Sequence, residues 1–139
     1  MAKQIEQVEK STFIKNAVES AYNRAEKRDT KARREFDITP EYMEELWRIQ
    51  GGRCAISNER MTRFEGHGKN SIIESNGSID RIDSKKGYVK GNVQWVTWEV
   101  NRMKGRLDYD TLVHACDSVI RNVTYYGTIL LPQIKACAI

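Results

Sequence analysis

The chain has 139 residues, with 23 Lys and Arg against 19 Asp and Glu, for a formal charge of +4. Its 40% apolar and 30% charged content is that of an ordinary soluble domain, and the length suits one domain or a domain with an arm. No stretch nears the roughly 20 apolar residues of a membrane helix. Residues 1–10 lack the apolar core of a secretory signal, so a cytoplasmic protein without a membrane partner is expected. Three scattered cysteines, Cys54, Cys116 and Cys137, form no Cys-x-x-Cys pair, so neither a disulfide framework nor a structural zinc is expected.

Charge is segregated. Residues 81–106 carry Arg81, Lys85, Lys86, Lys90, Arg102, Lys104 and Arg106 against only Asp83 and Glu99, a local excess that points to a phosphate-bearing partner. A solvated basic face is the alternative reading of the same residues.

In chain order, Ile5, Val8, Ile14, Ala17, Val18, Ala21, Tyr22 and Ala25 recur at helical spacing. They predict one helix over 5–33, or two broken near Ser11 and Thr12, whose charged end projects as an arm. Its Arg24, Lys27, Arg28, Lys31, Arg33 and Arg34 are placed to lie along nucleic acid or to face solvent. Thr39, Pro40 and Glu41 are a helix start, Tyr42, Met43, Leu46 and Trp47 its apolar stripe, and Gly51 and Gly52 its stop. Residues 53–77 are polar and glycine-containing and predict a hairpin-like or irregular region. Short strands follow over 78–83, with alternating polarity, and over 92–96. Thr97 caps a helix over 98–106, and Asp108 or Asp110 caps another carrying Leu112, Cys116, Val119, Ile120 and Val123. The apolar tail from Tyr125 is expected as an extended strand or a partner-binding arm. Trp47, Trp95 and Trp98 are expected in the core.

The stretch 78–106 is thus a strand, loop, strand and helix bearing Asp80-Arg81, Asn92, Asn101 and Lys104. With the lead-in Leu46 to Ser57, the run Ser78 to Tyr88, Asn92 to Trp95 and Val100 to Lys104, it resembles the HNH, or His-Me finger, endonucleases in their phage-type version. The match spans about residues 36–107. The resemblance implies an α+β fold with a ββα-metal core (36–107), an N-terminal helical basic arm (1–35), and a C-terminal helix and tail (108–139) packing on the core or on a partner.

It further implies a divalent-metal-dependent DNA endonuclease that is phage-related and acts in a bacterial cytoplasm. Asp80 and Asn101 would hold one Mg²⁺ or Mn²⁺, Asn92 would order the loop, and Lys104 would meet phosphate. Lys85, Lys86, Lys90, Arg102 and Arg106 would join Lys104 on DNA. One position departs from the family. Arg81 stands where the catalytic His belongs, and a guanidinium stays protonated near neutral pH, so it grips phosphate rather than activating water. His67, between two glycines, and Asp83 are the candidate replacement bases; Asp83 also reads as a turn residue. A catalytically inactive HNH-like module binding DNA or a host protein is the alternative function, and the apolar tail leaves a homodimer open.

Overall fold

The computed structural model describes residues 2–27, 35–63 and 75–137. The fold is mixed α+β, with four helices and one two-stranded antiparallel sheet among the described residues. Two compact units divide the chain at residues 106 and 107. No described helix is long and apolar enough to cross a membrane.

The first unit contains α1 (Ala2–Lys27), α2 (Pro40–Ile49), β1 (Gly77–Arg81), β2 (Val93–Thr97) and α3 (Trp98–Lys104). Ile14, Val18, Ala21 and Ala25 are buried at intervals of four, three and four residues, the spacing of one helix face. That face joins Met43, Ile79, Trp95 and Val96 in a single core. The N-terminal helix therefore does not stand apart as an arm: its small and branched residues are part of the core that supports the sheet. The basic residues Arg28, Lys31, Arg33 and Arg34 lie outside the described residues, as does His67.

α2 starts as its sequence dictates. The Thr39 hydroxyl accepts from the Tyr42 amide at 3.2 Å, with Pro40 in the first turn. Backbone amides and Thr39 hold the Glu41 carboxyl below the usual carboxylate range at this helix start. Gly51 and Gly52, at φ +62° and +67°, then turn the chain out of the helix, a backbone region that costs other residues energy. Trp95 is fully buried, and its indole N–H donates to the Met43 carbonyl at 2.8 Å, tying α2 to β2.

β1 and β2 pair with Asp80 opposite Gln94 and Ile79 opposite Trp95. Their connection, residues 82–92, is clamped by the segment before α2. Asp37 donates its amide to the Tyr88 carbonyl (3.1 Å) and accepts from the Lys90 amide (2.7 Å). Gly87 is required here by space, because a Cβ on it would lie 2.0 Å from the Glu35 carbonyl oxygen. Gly87→Ala forces backbone apart on both sides, and its expected cost is at the upper end of the about 1–3 kcal/mol of overpacking. A thermal melt beside the wild type checks this; an unchanged midpoint would refute the contact.

β2 passes into α3 with no intervening residue. Thr97 ends the strand and caps the helix, its hydroxyl accepting from the Val100 amide at 3.2 Å. The second unit holds α4 (Tyr109–Cys137), whose first turn is capped by Asp108 through the Thr111 amide at 2.8 Å. The tail expected as an extended strand or arm is instead a continuation of this helix through Cys137. The apolar residues from Tyr125 to Leu131 keep a helical pattern, and the helix runs on past Gly127 and Pro132, the two residues in it least suited to a helix interior.

Candidate functional site

The site grows from one edge of the sheet. The Ile82 amide bonds the Asn92 carbonyl, and with this register Ile79 and Arg81 occupy positions whose own carbonyls face away from β2. Side chains of α3 take both of them. Asn101 Nδ2 donates to the Ile79 carbonyl at 3.1 Å, and Lys104 Nζ donates to that of Arg81 at 2.8 Å. Asn101 and Lys104 lie three residues apart, which puts them on one helix face.

Lys104 also pairs with Asp80. Its Nζ lies 3.0 Å from Asp80 Oδ1, and the two side chains are 1% and 4% exposed. Asp80 Oδ2 accepts from Gln94 Nε2 at 3.0 Å, directly across the ladder. The carboxylate thus has a charged and a neutral donor, as a buried carboxylate needs. The phosphate contact expected of Lys104 is not its placement here. Its ammonium points inward, because the α3 face that meets β1 finds a buried carboxylate and an open carbonyl there.

Asn101 Nδ2 spends its second proton on Ser78 Oγ at 2.7 Å. With both amide protons committed, Oδ1 is the atom left to accept. Asn92 is buried and binds the loop at three points: Oδ1 accepts from the Asp83 amide (2.9 Å), and Nδ2 donates to the carbonyls of Asp83 (3.1 Å) and Gly87 (2.9 Å).

Arg81 is 8% exposed, donates from Nη1 to the Lys86 carbonyl at 3.0 Å, and stacks over the Tyr88 ring at 5.1 Å. Asp83 Oδ1 accepts from the Lys85 amide at 2.9 Å, the geometry of a turn-forming aspartate. Lys85, Lys86 and Lys90 are exposed on this connection.

Asp80, Arg81 and Asn101 line one cleft of about 330 Å³, together with Ser78, Ser84, Tyr88 and Trp98. Four guanidinium groups border it: Arg81, Arg102, Arg106 and, from α1, Arg24. Asp80 is the one carboxylate on its described lining, and Asp83 is not part of it. No family model, no curated protein and no solved structure matches this chain.

Several residues of the site have placements that the sequence reading did not give. Arg24 sits in the helix read as a projecting arm, yet its Nε donates to the Tyr88 hydroxyl at 3.3 Å. Trp98, read as core, is half-buried on the cleft wall with the Arg102 guanidinium 4.6 Å from its ring. Gln94 was legible in principle, since two-residue strand periodicity and an Asp80 partner together place it across from the carboxylate. Cys54 and Ser57 belong to a turn away from the cleft, where the Ser57 amide donates to Cys54 Sγ at 3.4 Å. Burial raises the Cys54 thiol, but hydrogen bonds from Ser57, Thr97 and Ile56 outweigh it and hold it below its ordinary range.

Asp80 and Asn101 carry oxygen donors of the kind a hard divalent cation takes. Asp80 offers carboxylate oxygens with lone pairs beyond those used by Lys104 and Gln94, and Asn101 offers an amide oxygen. Among the described residues no group of three His, Cys, Asp or Glu gathers as a metal cage. One carboxylate with waters and substrate phosphate is the usual complement of Mg²⁺, which seldom takes an all-protein shell.

Proposed function

We propose that the protein is a divalent-metal-dependent DNA endonuclease of the HNH-like kind. The observation that carries this reading is the single cleft in which Asp80 and Asn101 face four arginines. Oxygen donors suited to Mg²⁺ or Mn²⁺ beside guanidinium groups suited to phosphate are the two halves of a phosphodiesterase site. A bound ion there supplies polarisation of the scissile phosphate and stabilisation of the leaving oxygen.

The chain's own residues do the rest. Arg102 and Arg106 hold phosphate oxygens at the rim, while Arg81 presents a guanidinium oriented by the Lys86 carbonyl and the Tyr88 ring. Lys104 acts from beneath, holding the Asp80 carboxylate in position, and Asn92 keeps the connection that carries Arg81 in one shape. Lys85, Lys86 and Lys90 extend the positive surface for neighbouring backbone phosphates, giving binding dominated by charge rather than base reading.

A second reading is a DNA-binding module without catalysis. It is favoured by Arg81, which cannot take a proton from water, and by a described lining with no histidine or second carboxylate.

A supercoiled-plasmid assay with Mg²⁺, Mn²⁺ or EDTA separates the two, run beside Asn101→Ala. Metal-dependent nicking, reduced at least about 10²-fold in the variant, is the expected result. Absence of nicking with either metal, while DNA binding persists and weakens steeply with salt, would transfer the function to the binding module.

A further inference from the structure

α4 is 29 residues long, roughly 43 Å at about 1.5 Å per residue. A helix of that length draws most of its stability from packing an apolar face, not from intrinsic propensity. Leu112 in its first turn is buried, but Val119, Ile120 and Val123 are 61%, 64% and 58% exposed. Val113 is exposed as well.

The sequence of α4 has a seven-residue period. With Tyr109, Cys116 and Val123 at position a and Leu112 and Val119 at d, the pattern continues through Tyr126 at d and Leu130 at a, and ends where Pro132 and then Gln133, at d, follow. Every charged residue of the helix, Asp110, Asp117, Arg121 and Lys135, falls at b or f, on the opposite side. Asp117 and Arg121 pair with each other there at 2.8 Å. We propose that α4 is a self-association surface whose apolar seam packs against α4 of a second copy of this chain.

Charge decides among occupants. A helix that lies on an anionic membrane carries a polar face rich in Lys and Arg. This one carries two acids and two bases and is neutral, so it gains nothing at such a surface and does not repel its own copy. Foreign partner helices are selected by charges at e and g. Here those flanks hold Val113, Ile120, Gly127 and Ile134 on one side and Ala115, Asn122, Ile129 and Ala136 on the other, with no charge to select anything but another apolar seam. The proposal rests on α4 alone and stands whether or not the cleft is a nuclease.

Light scattering on the full chain, beside Val119→Asp with Val123→Asp, tests it. The wild type should have at least twice the mass of one chain, and the double variant the mass of one, with the near-ultraviolet dichroism of buried Trp95 unchanged. A wild type that is monomeric at every concentration overturns the proposal. So does a variant that keeps the wild-type mass, which would put the contact elsewhere. Sedimentation of a monomeric wild type with phosphatidylserine vesicles would give the seam to a membrane instead.

Discussion

Asp80→Ala lowers the stability of the protein by about 3–5 kcal/mol, the cost of leaving one partner of a buried ion pair without the other. Lys104 Nζ, 1% exposed, would keep only the Arg81 carbonyl as a partner. Lys104→Ala is expected to cost as much, since Asp80 would retain only Gln94. The decisive variant removes both charges: Asp80→Asn with Lys104→Met keeps an acceptor for Gln94 and fills the volume of the lysine stem. Urea denaturation should show most of the loss recovered in the double variant. If the two single losses simply add, the pair is not an energetic unit. A consequence for enzymology is that lost nicking in Asp80→Ala mixes unfolding with loss of a ligand, which is why Asn101→Ala is the cleaner probe.

Asn92→Ala is expected to cost about 2–4 kcal/mol, from three hydrogen bonds lost and buried loop groups left unpaired. Its effect is also local. The connection from Ile82 to Gly91 carries the Lys86 carbonyl that orients Arg81, so loosening it frees the guanidinium. The Asp83 amide, bonded to Asn92 Oδ1, should exchange its hydrogen faster by a larger factor than the core strand amides do. Asn92→Asp is no rescue, because a carboxylate would face the carbonyls of Asp83 and Gly87 where the amide now donates. Equal stability of Asn92→Asp and wild type would refute the assignment of those three bonds.

Much of the scaffold was legible because its signals are local. Thr39-Pro40 announces α2, Thr97 announces α3, and strand alternation locates the start of β1 within one residue and its end within two. The same locality explains why Asp80, Arg81 and Asn101 were placed together, since a hairpin and the helix after it need only short-range geometry. What stayed hidden depends on which face of a long element meets which neighbour. The charge of α1 suggested an arm, whereas the small residues Ala21 and Ala25 allow it close to the core and bring Arg24 to Tyr88. Lys104 reads as a phosphate ligand from the family resemblance and its charge, and only the open carbonyl of Arg81 and the buried Asp80 explain why it turns inward. His67 lies outside the described residues, so its candidacy as a base stands where the sequence put it.

The strand-to-helix junction at Thr97 has a consequence for how such a site can vary. A helix turns 100° per residue, so one residue added between Thr97 and Trp98 would swing Asn101 and Lys104 together off the β1 edge. The junction has no slack with which to absorb a change of length. The turn at Ser84, Lys85 and Lys86 is different: it lies between the residues that fix the connection, and both lysines are exposed. A change of length in that turn would leave the phase of strand and helix intact, while altering the reach of its lysines and the Lys86 carbonyl that orients Arg81.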